Sequence, residues 1–159
     1  MSTQSRKLVV FRLGEDLFAA DVNAVERVLR YVTPTTVPDT PDYIEGVIDY
    51  LGRVVPIVNL RRRLELPPLE VRGETRIVIV HVSGEWIGVV VDSVSEVASY
   101  DPSAVQPPPK IFRGLTGDYL RGILRLGSRL IIYLDVEHLL TSTERVALSQ
   151  AGAEALANE

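Results

Sequence analysis

The sequence predicts a mostly β protein built as two small five-stranded β-barrels side by side, with short helices and a helix near the C-terminal end. Three observations predict it. Short apolar runs recur at regular spacing between glycine- and proline-containing turns, the pattern of all-β folds. Residues 44–64, IEGVIDYLGRVVPIVNLRRRL, are echoed without a gap by residues 120–140, LRGILRLGSRLIIYLDVEHLL. So many short strands in an open sheet would leave unpaired edges, which closure into barrels removes.

The two copies align Gly46 with Gly122, Arg53 with Arg129, Asn59 with Asp135 and Leu64 with Leu140. In each, an apolar run reaches a turn (Leu51-Gly52 or Gly127-Ser128) and a second run follows. Asn59 or Asp135 then stands where a helix needs its N-cap. The reading is strand, turn, strand, short helix, twice. A fainter echo at another offset sets Val22, Val25, Val28 and Tyr31 beside Val91, Val94, Val97 and Tyr100. The expected organisation is one domain over 7–159, made of two related barrels, roughly 7–70 and 71–142.

In chain order, strands at 7–13 and 15–21 flank a turn at Gly14-Glu15, and 25–31 continues in an extended pattern. The stretch TPTTVPDTP (33–41), with its three prolines, is a connection. Strands at 44–51 and 53–60 lead into the first short helix, and LELPPLEVRGE (64–74) crosses to strands at 76–83 and 85–91, with Ser83-Gly84 at their turn. A strand at 94–100 precedes the proline-rich loop DPSAVQPPPKIFRGLTGD (101–118), of a length that usually accompanies function. After the second strand–turn–strand unit, Thr141 and Glu144 have capping-box spacing and open a helix at about 143–156 with a mostly alanine apolar side.

Composition narrows the function. The chain has 159 residues, 46% of them hydrophobic, enough for a core. Its net charge of −4 argues against a nucleic-acid partner, because phosphate contact needs a basic field. The absence of cysteine excludes disulfides, thiolate zinc sites and thiol nucleophiles. No apolar run approaches a membrane span, and MSTQSRK at the start is no signal peptide, so a cytoplasmic protein without membrane insertion is expected.

The residues offer little chemistry. His81 lies in the run IVIVHVS and His138 beside Leu139 and Leu140, neither with a second histidine or carboxylate at ligand spacing, so both read as structural. Asp92 and Glu96 read as a solvent-facing pair at a strand end, and Arg61, Arg62 and Arg63 as a solvated helix face. Neither GxGxxG nor GxxxxGK occurs. No catalytic residue, cofactor or metal is expected, and protein partners fit best.

Several segments nonetheless resemble one family in order and spacing: YIEGVIDYLGRVVPIVNLRRRL, WIGVVVDSVSEV, the QPPP loop and YLRGILRLGSRLIIYLDVEHLL are similar to CheW, the coupling protein of bacterial chemosensory arrays, over about residues 8–150. The resemblance implies two SH3-like barrels and a non-enzymatic adaptor. Such an adaptor holds the regulatory domain of a CheA-type histidine kinase onto the cytoplasmic hairpin tips of chemoreceptors, in arrays that are membrane-associated or soluble. Carried onto this chain, it places the receptor against Val25, Arg27, Val28, Leu51, Val94 and Val97. The kinase contact falls on Gln106, Lys110, Ile111 and Phe112, with Ile44, Gly46 and Val54 as a further set.

Physical reasons accompany that assignment. Pro107-Pro108-Pro109 stiffens its loop, so displaying Ile111 and Phe112 costs little ordering entropy on binding, unless the two fold back over the barrel. Only one face of each valine-bearing strand can point outward, so part of the receptor set should be buried. Departures from the family matter as well. CheW proteins usually carry an acid at the position of Arg27, an arginine at that of Leu51 and a basic residue at that of Glu45. The expectation is that Arg27 pairs with Glu45 or Glu26, rewriting the groove edge for another partner. Two other classes stay open: an adaptor or self-associating scaffold in a non-chemotaxis signalling complex, and a small nucleic-acid-binding barrel, which the acidic balance disfavours.

Overall fold

The computed structural model describes residues 6–108, 119–136 and 138. Ten strands are found there: β1 (Arg6–Leu13), β2 (Asp16–Asp21), β3 (Val25–Arg30), β4 (Ile44–Tyr50), β5 (Arg53–Asn59), β6 (Arg76–Val82), β7 (Glu85–Val91), β8 (Ser93–Tyr100), β9 (Leu120–Leu126) and β10 (Arg129–Leu134). One short helix, α1 (Leu60–Arg63), follows β5. The Asn59 side chain accepts the Arg62 N–H, as its N-cap position predicts. The expected helix at 143–156 lies outside the described residues.

The strands form two five-stranded sheets, ordered β8-β1-β2-β10-β9 and β3-β6-β7-β5-β4. The expected division near residue 70 does not separate them. The first sheet joins the N-terminal hairpin to the last three strands, and the second is built from 25–91. Each half of the sequence thus lends its leading hairpin to the other half's sheet. The joints are parallel: Ile131↔Leu17 through Tyr133↔Ala19 in the first sheet, Ile57↔Gly88 through Asn59↔Val90 in the second.

The sheets obey one plan. Thr35 makes an isolated antiparallel bridge to Val47, and Gln106 to Ile123, at corresponding positions of β4 and β9. Here the proline-containing connections cross the strands, which explains the repeated glycines. A Cβ on Gly46 would lie 2.0 Å from the Thr35 carbonyl oxygen and one on Gly122 2.5 Å from that of Gln106. Among the described residues the sheets do not close through a strand pairing, and each far edge meets the returning chain through that one bridge.

Burial follows the pleat. On β6, Ile77 and Ile79 face a core enclosed by the second sheet itself with Tyr50, Val55 and Ile57. Val78, Val80 and Val82 face a larger core shared with Phe11, Leu13 and Phe18 of the first sheet. That double burial is why β6 reads as an unbroken apolar run. Leu8, Val10, Leu124, Ile131 and Tyr133 make the first sheet's own core. Because edge residues such as Tyr100 and Leu124 share one cluster, the sheet must curl over it.

Candidate partner-docking surface

Edge strands β3 and β8 occupy equivalent places in the two sheets. Val25 is paired with Val80 and Val28 with Val78, so both lie on the face toward the shared core. Val94 opposite Phe11 and Val97 opposite Val9 do the same on β8. Val25 and Val94 pack against the shared core, whereas Val28 and Val97 are 38% and 57% exposed at its rim. Apolar side chains left open on two equivalent sheet edges are a surface suited to a partner.

Arg27 is not part of that face. A register shift between Val25 and Arg27 sets Arg27 opposite Ile79, on the side of the second sheet's own core. Nor does it find either expected carboxylate. Glu45 accepts from the Tyr31 hydroxyl at 2.6 Å and from Asn59 Nδ2 at 2.8 Å, and Glu26 lies 3.2 Å from His81 Nε2. Burial first, and then the hydrogen bond to Glu45, push the Tyr31 hydroxyl up to about 12. The tip of the β4–β5 hairpin carries Leu51 in the left-handed region, at φ 51°, and 72% exposed. Such turns favour glycine or asparagine.

The kinase set is divided. Gln106 is exposed and bridges β9 through its backbone, and Val54 is half-buried on β5. Ile44 is a member of the shared core and Gly46 is covered by Pro34 and Thr35, so neither offers side-chain surface in the free chain. Lys110, Ile111 and Phe112 lie outside the described residues.

The arginine cluster is not a solvated face. Arg61 Nε and Nη2 donate to the two Asp92 carboxylate oxygens at 2.8 and 2.6 Å, a largely buried bidentate pair, and the Gly14 N–H donates to the same carboxylate at 2.6 Å. Burial raises the Asp92 carboxyl, but the hydrogen bonds from Arg61 and Gly14 outweigh it and hold the group below the usual range. One carboxylate thus pins α1 to the β1–β2 turn of the other sheet. Arg63 stands over the rings of Tyr43 and Tyr119 at 5.7 and 5.2 Å, while Arg62 reaches the Asp42 carbonyl. These contacts span up to 78 positions, a pairing no local motif announces.

A cleft of about 420 Å³ opens between the sheets, where Arg6, Arg121 and His81 face Asp21 and Asp135. Arg121 already pairs with Asp135 at 3.1 Å, and the exposed His138 holds the same carboxylate at 2.8 Å. Among the described residues no cluster of His, Asp and Glu is arranged to hold a metal ion, and no helix is long and apolar enough to cross a membrane.

Comparison with known proteins agrees with this architecture. The probable chemotaxis protein CheW of Rhizobium etli is 32% identical over 142 residues, covering 89% of this chain and 92% of its own. CheW of Klebsiella aerogenes is 32% identical over 142 residues, covering 89% and 86%. The crystal structure of the scaffolding protein TtCheW from Thermoanaerobacter tengcongensis superposes with a TM-score of 0.80 at 31% identity, over 87% of this chain and 94% of that one. The model of the CheW-like domain matches residues 7–144, and the chain belongs to that family.

Proposed function

We propose that this protein couples the regulatory domain of a CheA-type histidine kinase to the cytoplasmic hairpin of a chemoreceptor, in the cytoplasm and within receptor arrays. It is a CheW-type chemotaxis scaffold, and its work is binding rather than bond chemistry. The observation that carries the partner assignment is the pair of exposed valines, Val28 and Val97, on equivalent edges of two sheets that share one core. A helical hairpin lying along those edges would bury both. We read each curled sheet as an SH3-like barrel with its seam reduced to one bridge, and the whole of 7–159 as a single domain. The kinase meets Gln106, Lys110, Ile111, Phe112 and Val54.

Titration calorimetry with a receptor hairpin fragment and a kinase regulatory domain tests this. V28D and V97D each put a charge into the buried contact, which should weaken receptor binding by at least about tenfold and spare the kinase. Phe112→Ser should do the reverse. Equal loss of both partners, or of neither, removes the two-surface reading. Leu51 favours a second reading, self-association through the hairpin tip; a monomer in sedimentation at high concentration discards it.

A further inference from the structure

The two sheets correspond position by position in strand order and register, and one correspondence reverses an interaction. In the first sheet, Glu96 on β8 and Arg129 at the start of β10 form an ion pair of 2.6 Å. β1 and β2 lie between their strands in the sheet order, so the pair closes across the curl. The corresponding strands of the second sheet are β3 and β5. Glu96 is opposite Val10 just after a register shift, as Arg27 is opposite Ile79. Arg129 is paired with Leu126 at its hairpin end, as Arg53 is with Tyr50. Positions occupied by Glu and Arg in one sheet are therefore occupied by Arg27 and Arg53 in the other.

Both second-sheet arginines are exposed, and among the described residues neither has a carboxylate within ion-pair distance. Glu26 beside Arg27 is turned to His81. Arg53 is held instead with its guanidinium 4.2 Å above the Trp86 ring, on the intervening strand β7, which orients it at little entropic cost. Leu51 projects from the same hairpin. We infer that Arg27 and Arg53 form a docking point for a carboxylate supplied by a partner protein, an Asp or Glu side chain flanked by an apolar residue that covers Leu51. The missing acid of the internal pair is the charge complement that defines this occupant. The site is separate from the valine edge and does not depend on which partner lies there.

Two measurements test it. R27E recreates the first sheet's pair, so it should raise the Tm in the wild-type background and lose that gain when R53A is also present; an equal change in both backgrounds overturns the convergence of the two positions. In solution, the Arg27 and Arg53 Nε–H signals should shift with a hexaglutamate peptide, more than those of exposed Arg12 and Arg125, and remain unmoved by hexaglutamine. Addition of leucine beside the glutamates should tighten binding about threefold to tenfold through Leu51, and Leu51→Ser should abolish that gain. Uniform shifts over all arginines, or an equal response to inorganic sulfate with no gain from leucine, would reject a protein-docking site. Because the peptide replaces receptor and kinase alike, failure of either to bind leaves this result standing on its own.

Discussion

The first and second sheets have the same strand order, the same bulges and the same bridging connections, yet they differ in the side chains that several equivalent positions bring together. Where the second sheet joins Glu45 to Asn59 by a hydrogen bond, the first joins Arg121 to Asp135 by an ion pair. Where the second has Leu51 in a left-handed turn, the first has Gly127. What persists is what the backbone requires: small residues under the crossing connections and apolar residues on both faces of the inner strands. What diverges is the partly buried polar pairs and the hairpin tips. Duplicated architecture fixes the places at which side chains meet and leaves their chemistry free to become two different surfaces.

The comparison can be broken first at its glycines. Gly46→Ala meets a fixed carbonyl and a φ of +141°, and should cost about 3–5 kcal/mol or abolish folding. Gly122 has the carbonyl contact without the left-handed φ, so Gly122→Ala should cost less, roughly 1–3 kcal/mol by urea denaturation. Equal losses would mean that the backbone conformation at Gly46 contributes nothing.

A smaller effect is expected where the sheets are tied together. Arg61→Ala leaves the Asp92 carboxylate without its bidentate partner, at a cost of about 2–3 kcal/mol. Since the folded carboxyl is depressed, the stability due to the pair is fully present above the unfolded value near pH 4 and is lost as pH falls through the lower folded value. Asp92→Asn should therefore flatten the acid limb of a stability–pH profile measured by circular dichroism. An unchanged limb would show that the pair is not what ties α1 to the β1–β2 turn.

The smallest change sharpens the contrast between hairpin tips. Leu51→Gly relieves a left-handed leucine that buries little, and should raise stability by up to about 1 kcal/mol, while Gly127→Leu should lower it by a similar amount. A stability gain accompanied by weaker partner binding would show that the leucine is kept for contact rather than for folding.

Much of the secondary structure was legible because its signals are local. Gly14, Gly52, Gly84 and Gly127, each at positive φ, mark the four hairpin turns, and the strands between them lie within about two residues of the expected bounds. The sheet composition was not legible. A hairpin announces its own two strands, but the parallel joints between β2 and β10 and between β5 and β7 have no turn to mark them, so chain order was a poor guide to sheet membership. The same limit hid the site's electrostatics. Arg61 and Asp92 are 31 residues apart, and the bulge that turns Arg27 away from Val25 adds one residue to an otherwise ordinary strand. Equivalence of Val28 and Val97 was visible as a faint echo, because both hold rim positions on matching strands.

The exchange of hairpins between halves has a cost in time. A nascent chain that has delivered residues 6–21 must wait for 120–134 to leave the ribosome before β2 can meet β10, so contact order is high and the first hairpin spends much of translation without its neighbours. The same topology makes the protein a natural candidate for splitting. Fragments cut in the exposed connection around Gly73, each unable to complete a sheet, should assemble only with one another and restore both sheets at once.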